Sequence, residues 1–245
     1  MQCYTHTLPG GASLVGYLRE ETTEMPAFNT RPAMLILPGG GYAYCSSREA
    51  DPVAMQFLQA GYNVFILYYT CRGQESQPAL RWQPLIDAAG AILHIRKNAV
   101  QFHIDPAKVA VCGFSAGGHL AASTAILWDA EPVRQALGIC GKEALPDAVV
   151  LGYPVITSGE FRHDGSICNL CGDDAALRGT MSLENQVSDG LPPFYIWHTV
   201  EDASVPVQNS MLLATALTAH KVPFELHLFA HDGHGTSTCT QEVNT

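Results

Sequence analysis

The chain has 245 residues, of which 47% are hydrophobic and 15% charged, and it carries a formal net charge of −10. This length suits one domain with a substantial core, and the composition excludes an intrinsically disordered chain. Lysines and arginines form no cluster, which argues against a nucleic-acid partner, and no run of about 18 apolar residues is available to cross a membrane.

Met1–Gly10 has no basic start followed by an apolar stretch, so no signal peptide is read and the expected location is the cytoplasm. The eight cysteines are scattered and read as free thiols. Cys168 and Cys171 form a lone C-x-x-C with no second ligand pair at suitable spacing, so neither a metal nor a cofactor is expected.

In chain order, residues 5–19 read as one or two antiparallel edge strands. Ala33–Leu37 (AMLIL) reads as a buried strand stopped by Pro38 and three glycines. Pro52–Ala60 reads as a helix capped by Gly61, and Tyr62–Tyr69 as a strand rich in β-branched and aromatic residues. Trp82–Asn98 carries Leu85, Ala89, Ile92 and Ile95 at helical spacing, with Arg96 and Lys97 in its last turn. Val109–Cys112 is a short buried strand, and Ala116–Leu127, small and apolar, fits a helix packed closely on a sheet. Ala148–Gly152, Phe194–His198 and Phe224–Phe229 read as strands and Val205–His220 as a helix. Strands alternating with helices predict an α/β fold with a mostly parallel central sheet covered on both faces. The segment 157–191 breaks the pattern. It is polar, is expected to be irregular, and has the length of an insertion near a binding site.

Gly113-Phe114-Ser115-Ala116-Gly117 is G-x-S-x-G, directly after a strand and directly before a helix. That context is what a nucleophile elbow demands: a tight turn presents the serine hydroxyl above the sheet, at a helix N-terminus. Such a serine needs a histidine base and a carboxylate to orient it, following in that fold in the order Ser, Asp/Glu, His after the late strands. Glu201 and Asp202 follow Phe194–His198, and His231 and His234 follow Phe224–Phe229. His234 lies between Gly233 and Gly235, which gives its loop room to turn the imidazole onto Ser115. His119, on the helix after the elbow, reads as a packing or capping residue. Oxyanion donors are expected at the backbone of Ala116, after the serine, and of Gly40 and Gly41 in the run Pro38–Tyr42.

Together, LPGGGY (37–42), IDPAKVAVCGFSAGGHLAA (104–122), SLENQV (182–187), PPFYIWHTVEDASVPVQNS (192–210), VPFELHLF (222–229) and the following HDGHG resemble the bacterial acetyl esterase/lipase branch of the α/β-hydrolases, akin to hormone-sensitive-lipase-like and xylan acetylesterase-like enzymes. The resemblance covers nearly the whole chain as a single domain, 1–245. It implies that the acid is Asp202, three residues before Val205-Pro206, and the base His234. It also implies a serine esterase acting on a small-molecule substrate with short acyl groups, in some members acetylated sugars. The fold is compatible with a homodimer. Pro38 stands where the related HGGG form has histidine, and the chain stops at Thr245 where relatives usually carry a closing helix. Two other readings compete. A prolyl-oligopeptidase-like peptidase would bring a propeller domain that these residues do not contain, and a non-catalytic binding relative would not need Ser115, Asp202 and His234 intact.

Overall fold

One eight-stranded sheet organises the chain: β1 (Gln2–Thr7), β2 (Ser13–Leu18), β3 (Arg31–Leu37), β4 (Asn63–Tyr68), β5 (Ile104–Phe114), β6 (Ala148–Gly152), β7 (Phe194–Thr199) and β8 (Phe224–Phe229). Their spatial order is β1-β2-β4-β3-β5-β6-β7-β8. β1 and β2 pair antiparallel with each other, and β2 pairs antiparallel with β4; the remaining pairs are parallel. Among the described residues seven α-helices connect them: α1 (Asp51–Gln59), α2 (Gln83–Lys97), α3 (Ala116–Ile126), α4 (Glu131–Leu137), α5 (Asp164–Cys171), α6 (Ala175–Thr180) and α7 (Gln208–Ala219). The computed structural model describes residues 1–243; Asn244 and Thr245, part of the domain expected over 1–245, lie outside the described residues.

Period-two geometry divides the continuous apolar strands between two cores. Met34 and Ile36 of β3 and Val64 and Ile66 of β4 face α1, where they meet Val53, Ala54 and Leu58. Ala33, Leu35 and Leu37, with Phe65 and Leu67, face the other way onto α2 and α3, among Ala88, Ile92, Leu120 and Ala121. The expected two-sided covering is therefore present but uneven. On the α1 side, Tyr195 of β7 and Phe229 of β8 stay 40% and 53% exposed. An apolar hollow of about 540 Å³ lies there between α1 and β6–β8, with Phe57, Trp197 and Phe229 in its wall.

The topology positions the site. β4 lies on one side of β3 and β5 on the other, so the chain reverses its winding there, and the carboxyl ends of β3 and β5 open onto the crevice where such sheets bind ligands.

The segment 157–191 departs from expectation, because it holds α5 and α6 and a short 3-10 turn at Leu183–Asn185. With eight and six residues, these helices are too short for apolar periodicity to mark them. Side chains cap them instead: His163 Nδ1 accepts from Ser166 N at 3.2 Å, and Asp174 Oδ1 from Leu177 N at 2.9 Å. α4, also unforeseen, is bracketed by Pro132 in its first turn and by Gly138 at φ 64° beyond its end.

Candidate active site

Ser115 sits at φ 53°, ψ −120°, between the end of β5 and the start of α3. A non-glycine residue with this backbone is strained, and its surroundings must hold it there. Flanking glycines make the turn possible by absence of volume. A Cβ at Gly113 would lie 2.1 Å from Gly117 O, and one at Gly117 would lie 2.1 Å from Leu37 O. The hydroxyl faces the loop after β8, where His234 Nε2 is 2.8 Å from Ser115 Oγ. On the other side of the ring, His234 Nδ1 is 2.6 Å from Asp202 Oδ2.

Asp202 is buried in the turn after β7. Its Oδ1 accepts the N–H groups of Ser204 and Val205, both at 2.9 Å. Its Oδ2 also lies 3.3 Å from Nε2 of the fully buried His198, whose Nδ1 is 2.8 Å from Ser210 Oγ. Burial pushes the Asp202 carboxyl up, but hydrogen bonds from His198, His234 and the Val205 amide outweigh it and hold the group well below the usual carboxylate range. A fixed anion beside Nδ1 keeps the proton on that nitrogen and leaves Nε2 as the acceptor for the serine hydroxyl. Glu201 and His231, the alternatives, pair with each other at 3.0 Å on the exposed surface, apart from this chain of bonds.

Gly40 (φ 121°) and Gly41 (φ 64°) line the same cleft as Ser115. A Cβ on Gly40 would lie 2.1 Å from Tyr44 O, so the turn excludes any side chain there. Among the described residues the amides of Gly40 and Gly41 have no protein acceptor. Ala116, first residue of α3, contributes another amide that its own helix leaves free. The cleft has a volume of about 260 Å³, and its walls include Tyr44, Arg48, Glu49 and His163.

Further buried polar residues surround the site. Tyr42 OH is 2.8 Å from His119 Nδ1, and His119 Nε2 is 2.9 Å from Met181 O, so buried His119 ties the glycine loop to the end of α6 in the 157–191 segment. His119 thus packs, as its helix position implied, and burial pushes its pKa down to about 4. Glu49 is buried under the glycine loop and bonds Gly39 N at 2.7 Å. Its position in the polar run Ser46–Asp51, where Ser47, Arg48 and Asp51 are exposed, gives no hint of burial. Cys168 is exposed and Cys171 buried on α5, and no group of three or more metal-ligating side chains occurs among the described residues.

This sheet, with its elbow at the end of β5, is an α/β-hydrolase fold, and the solved structures it matches agree. An acetyl ester-xyloside bifunctional hydrolase from Caldicellulosiruptor lactoaceticus superposes with a TM-score of 0.80 at 36% identity, covering 97% of this chain and 84% of that one. The carboxylesterase Cest-2923 from Lactobacillus plantarum WCFS1 superposes with a TM-score of 0.87 at 26% identity, covering 100% and 89%. The chain belongs to the BD-FAE family, whose model matches residues 23–156, while residues 172–245 match the prolyl oligopeptidase family. Among curated proteins it is 42% identical over 216 residues to endo-1,4-beta-xylanase B of Butyrivibrio fibrisolvens, covering 86% of this chain and 33% of that protein. It is 28% identical over 211 residues to an acetylxylan esterase of Xylanibacter ruminicola, covering 83% and 40%. The chain thus spans well under half the length of these two curated relatives. No helix among the described residues is long and apolar enough to cross a membrane.

Proposed function

We propose that the protein is a serine esterase that hydrolyses short acyl esters, acetyl esters foremost, and that its natural substrates are acetylated carbohydrates. The observation that carries this reading is the unbroken path from Ser115 Oγ through His234 to Asp202, at 2.8 and 2.6 Å, beside unengaged backbone amides. In the mechanism, His234 Nε2 takes the Ser115 proton as the hydroxyl oxygen attacks the ester carbonyl. The amides of Gly40, Gly41 and Ala116 receive the oxyanion; one such donor contributes roughly 3 kcal/mol. His234 returns the proton to the leaving alcohol, and a water activated by the same nitrogen releases the acid.

The cleft of about 260 Å³ favours a small acyl group over a long chain. The carbohydrate reading draws on relatives whose names join acetyl esters with xylan or xylosides. The presence of His163 on the cleft wall supports a share in substrate contact for the 157–191 segment.

Hydrolysis of p-nitrophenyl acetate, butyrate and octanoate by the wild type and by Ser115→Ala tests the proposal. Expected are rates that fall with chain length and vanish in the variant. A folded wild type that leaves the acetate intact, or a Ser115→Ala variant that still cleaves it, would end this reading.

A further inference from the structure

Glu49 is a carboxyl group at the floor of the site that the mechanism above does not use. The residue is only 4% exposed, and burying a charge in this way is costly unless something repays it. Its Oε2 accepts the Gly39 amide at 2.7 Å, and its Oε1 accepts the phenol of Tyr153 at 2.6 Å. The Tyr153 oxygen itself accepts the Ser237 amide at 2.9 Å, which commits the single phenol hydrogen to Glu49. Burial pushes the carboxyl above its usual range and the bonds from Tyr153 and Gly39 oppose that; with both oxygens acting as acceptors, the pattern is that of an ionised group.

These bonds run to the two loops that the chemistry needs. Gly39 opens the glycine loop, and a Cβ there would lie 2.5 Å from Glu49 Oε2 and 3.0 Å from Ser115 Cβ. Tyr153, held at φ 36°, sets its ring edge-on to His234 with centroids 4.9 Å apart. Ser237, three residues beyond His234, also donates from Oγ to Arg48 O at 2.6 Å, which closes the circuit back to the turn that carries Glu49. The titratable and charged groups facing the carboxyl are Tyr153 at the end of β6, Cys112 of β5, Tyr69 after β4, exposed Arg48 on its own turn, and His234. Of these, His234 is the one whose charge changes during the reaction.

We propose that Glu49 is a positioning residue for ester hydrolysis: through Gly39 it sets the oxyanion loop, through Tyr153 it sets the His234 loop, and its charge favours the imidazolium that forms as Ser115 attacks. This rests on the reading of Ser115, His234 and Asp202 as the catalytic chain.

The test measures p-nitrophenyl acetate kinetics against pH for the wild type, Glu49→Gln, Tyr153→Phe and Ser115→Ala, with a melting curve for each. Glutamine keeps the size and the acceptor for Gly39 but removes the charge. The expected result for Glu49→Gln is a kcat lower by roughly ten- to a hundredfold with KM within about twofold, below or near the loss of a whole oxyanion donor. The acidic limb of its kcat profile should also move to lower pH, which a merely structural role would not cause. Tyr153→Phe should lower kcat and leave that limb in place. A folded Glu49→Gln enzyme with wild-type kcat and an unmoved limb overturns the proposal. If Glu49→Gln fails to fold, wild-type kcat in a folded Tyr153→Phe does so instead. Activity in Ser115→Ala would sink the catalytic reading itself, an outcome distinct from either.

Discussion

At the scale of single residues, two histidines show how environment divides one side-chain type between tasks. His234 is held between Ser115 and Asp202, and its orientation depends on a carboxylate that the Ser204 and Val205 amides fix from behind. Asp202→Asn should preserve the shape and reverse the bond to Nδ1, stranding the wrong tautomer. The expected loss in kcat is about 10⁴-fold, checked by steady-state ester hydrolysis. His119, by contrast, is buried and neutral, its pKa pushed down to about 4. The unfolded chain takes up a proton near pH 6.5, well before the native state does. Stability should thus fall as pH drops from about 6.5 towards 4, by an amount of the order of 3 kcal/mol. Urea titrations across that range should show a shallower decline for His119→Gln. Of the candidate residues, Ser115 was marked by its strand-elbow-helix context and His234 by the glycines beside it, whereas strand context left Glu201 and Asp202 both open and only the resemblance singled out Asp202. Glu49 and His198 were not legible, since their roles depend on which polar residues the tertiary packing turns inward, and that leaves no local pattern.

The elements were legible where a helix or strand carries a long apolar signature. β6 and β8 run over the residues expected, and α2 and α3 differ from expectation by a residue or two at their ends. The three short helices α4, α5 and α6 were not foreseen, because capping residues rather than periodicity define them. The junction of β5 and α3 gives the clearest prediction at this scale. Gly117 has a helical backbone that alanine would accept, yet its Cβ would meet Leu37 O at 2.1 Å and Pro38 O at 2.3 Å. Gly117→Ala should force α3 away from the end of β3, costing about 1–3 kcal/mol or more. It should also reduce activity, because the displaced carbonyls lead directly into the glycine loop. Denaturant midpoints and acetate hydrolysis on the same preparation would check both.

For the molecule as a whole, the pieces of the site differ in how deeply they are anchored. Ser115 follows β5, a strand paired on both sides within the sheet, whereas His234 hangs from β8, paired only with β7 and largely exposed along its length. Local opening free energies follow such differences in burial and pairing. The chain should therefore have an inactive native-like state in which β8 and its loop have frayed while the remaining strands stay folded. Amide hydrogens of β8 should exchange faster than those of β3 and β5. In rising denaturant, hydrolysis should fail at a lower concentration than the far-ultraviolet dichroism of the sheet and helices. Coincident transitions would mean that β8 belongs to the same cooperative unit as the centre of the sheet. Separate ones would mean that the proposed hydrolysis is lost by the melting of a single edge, long before the fold is lost.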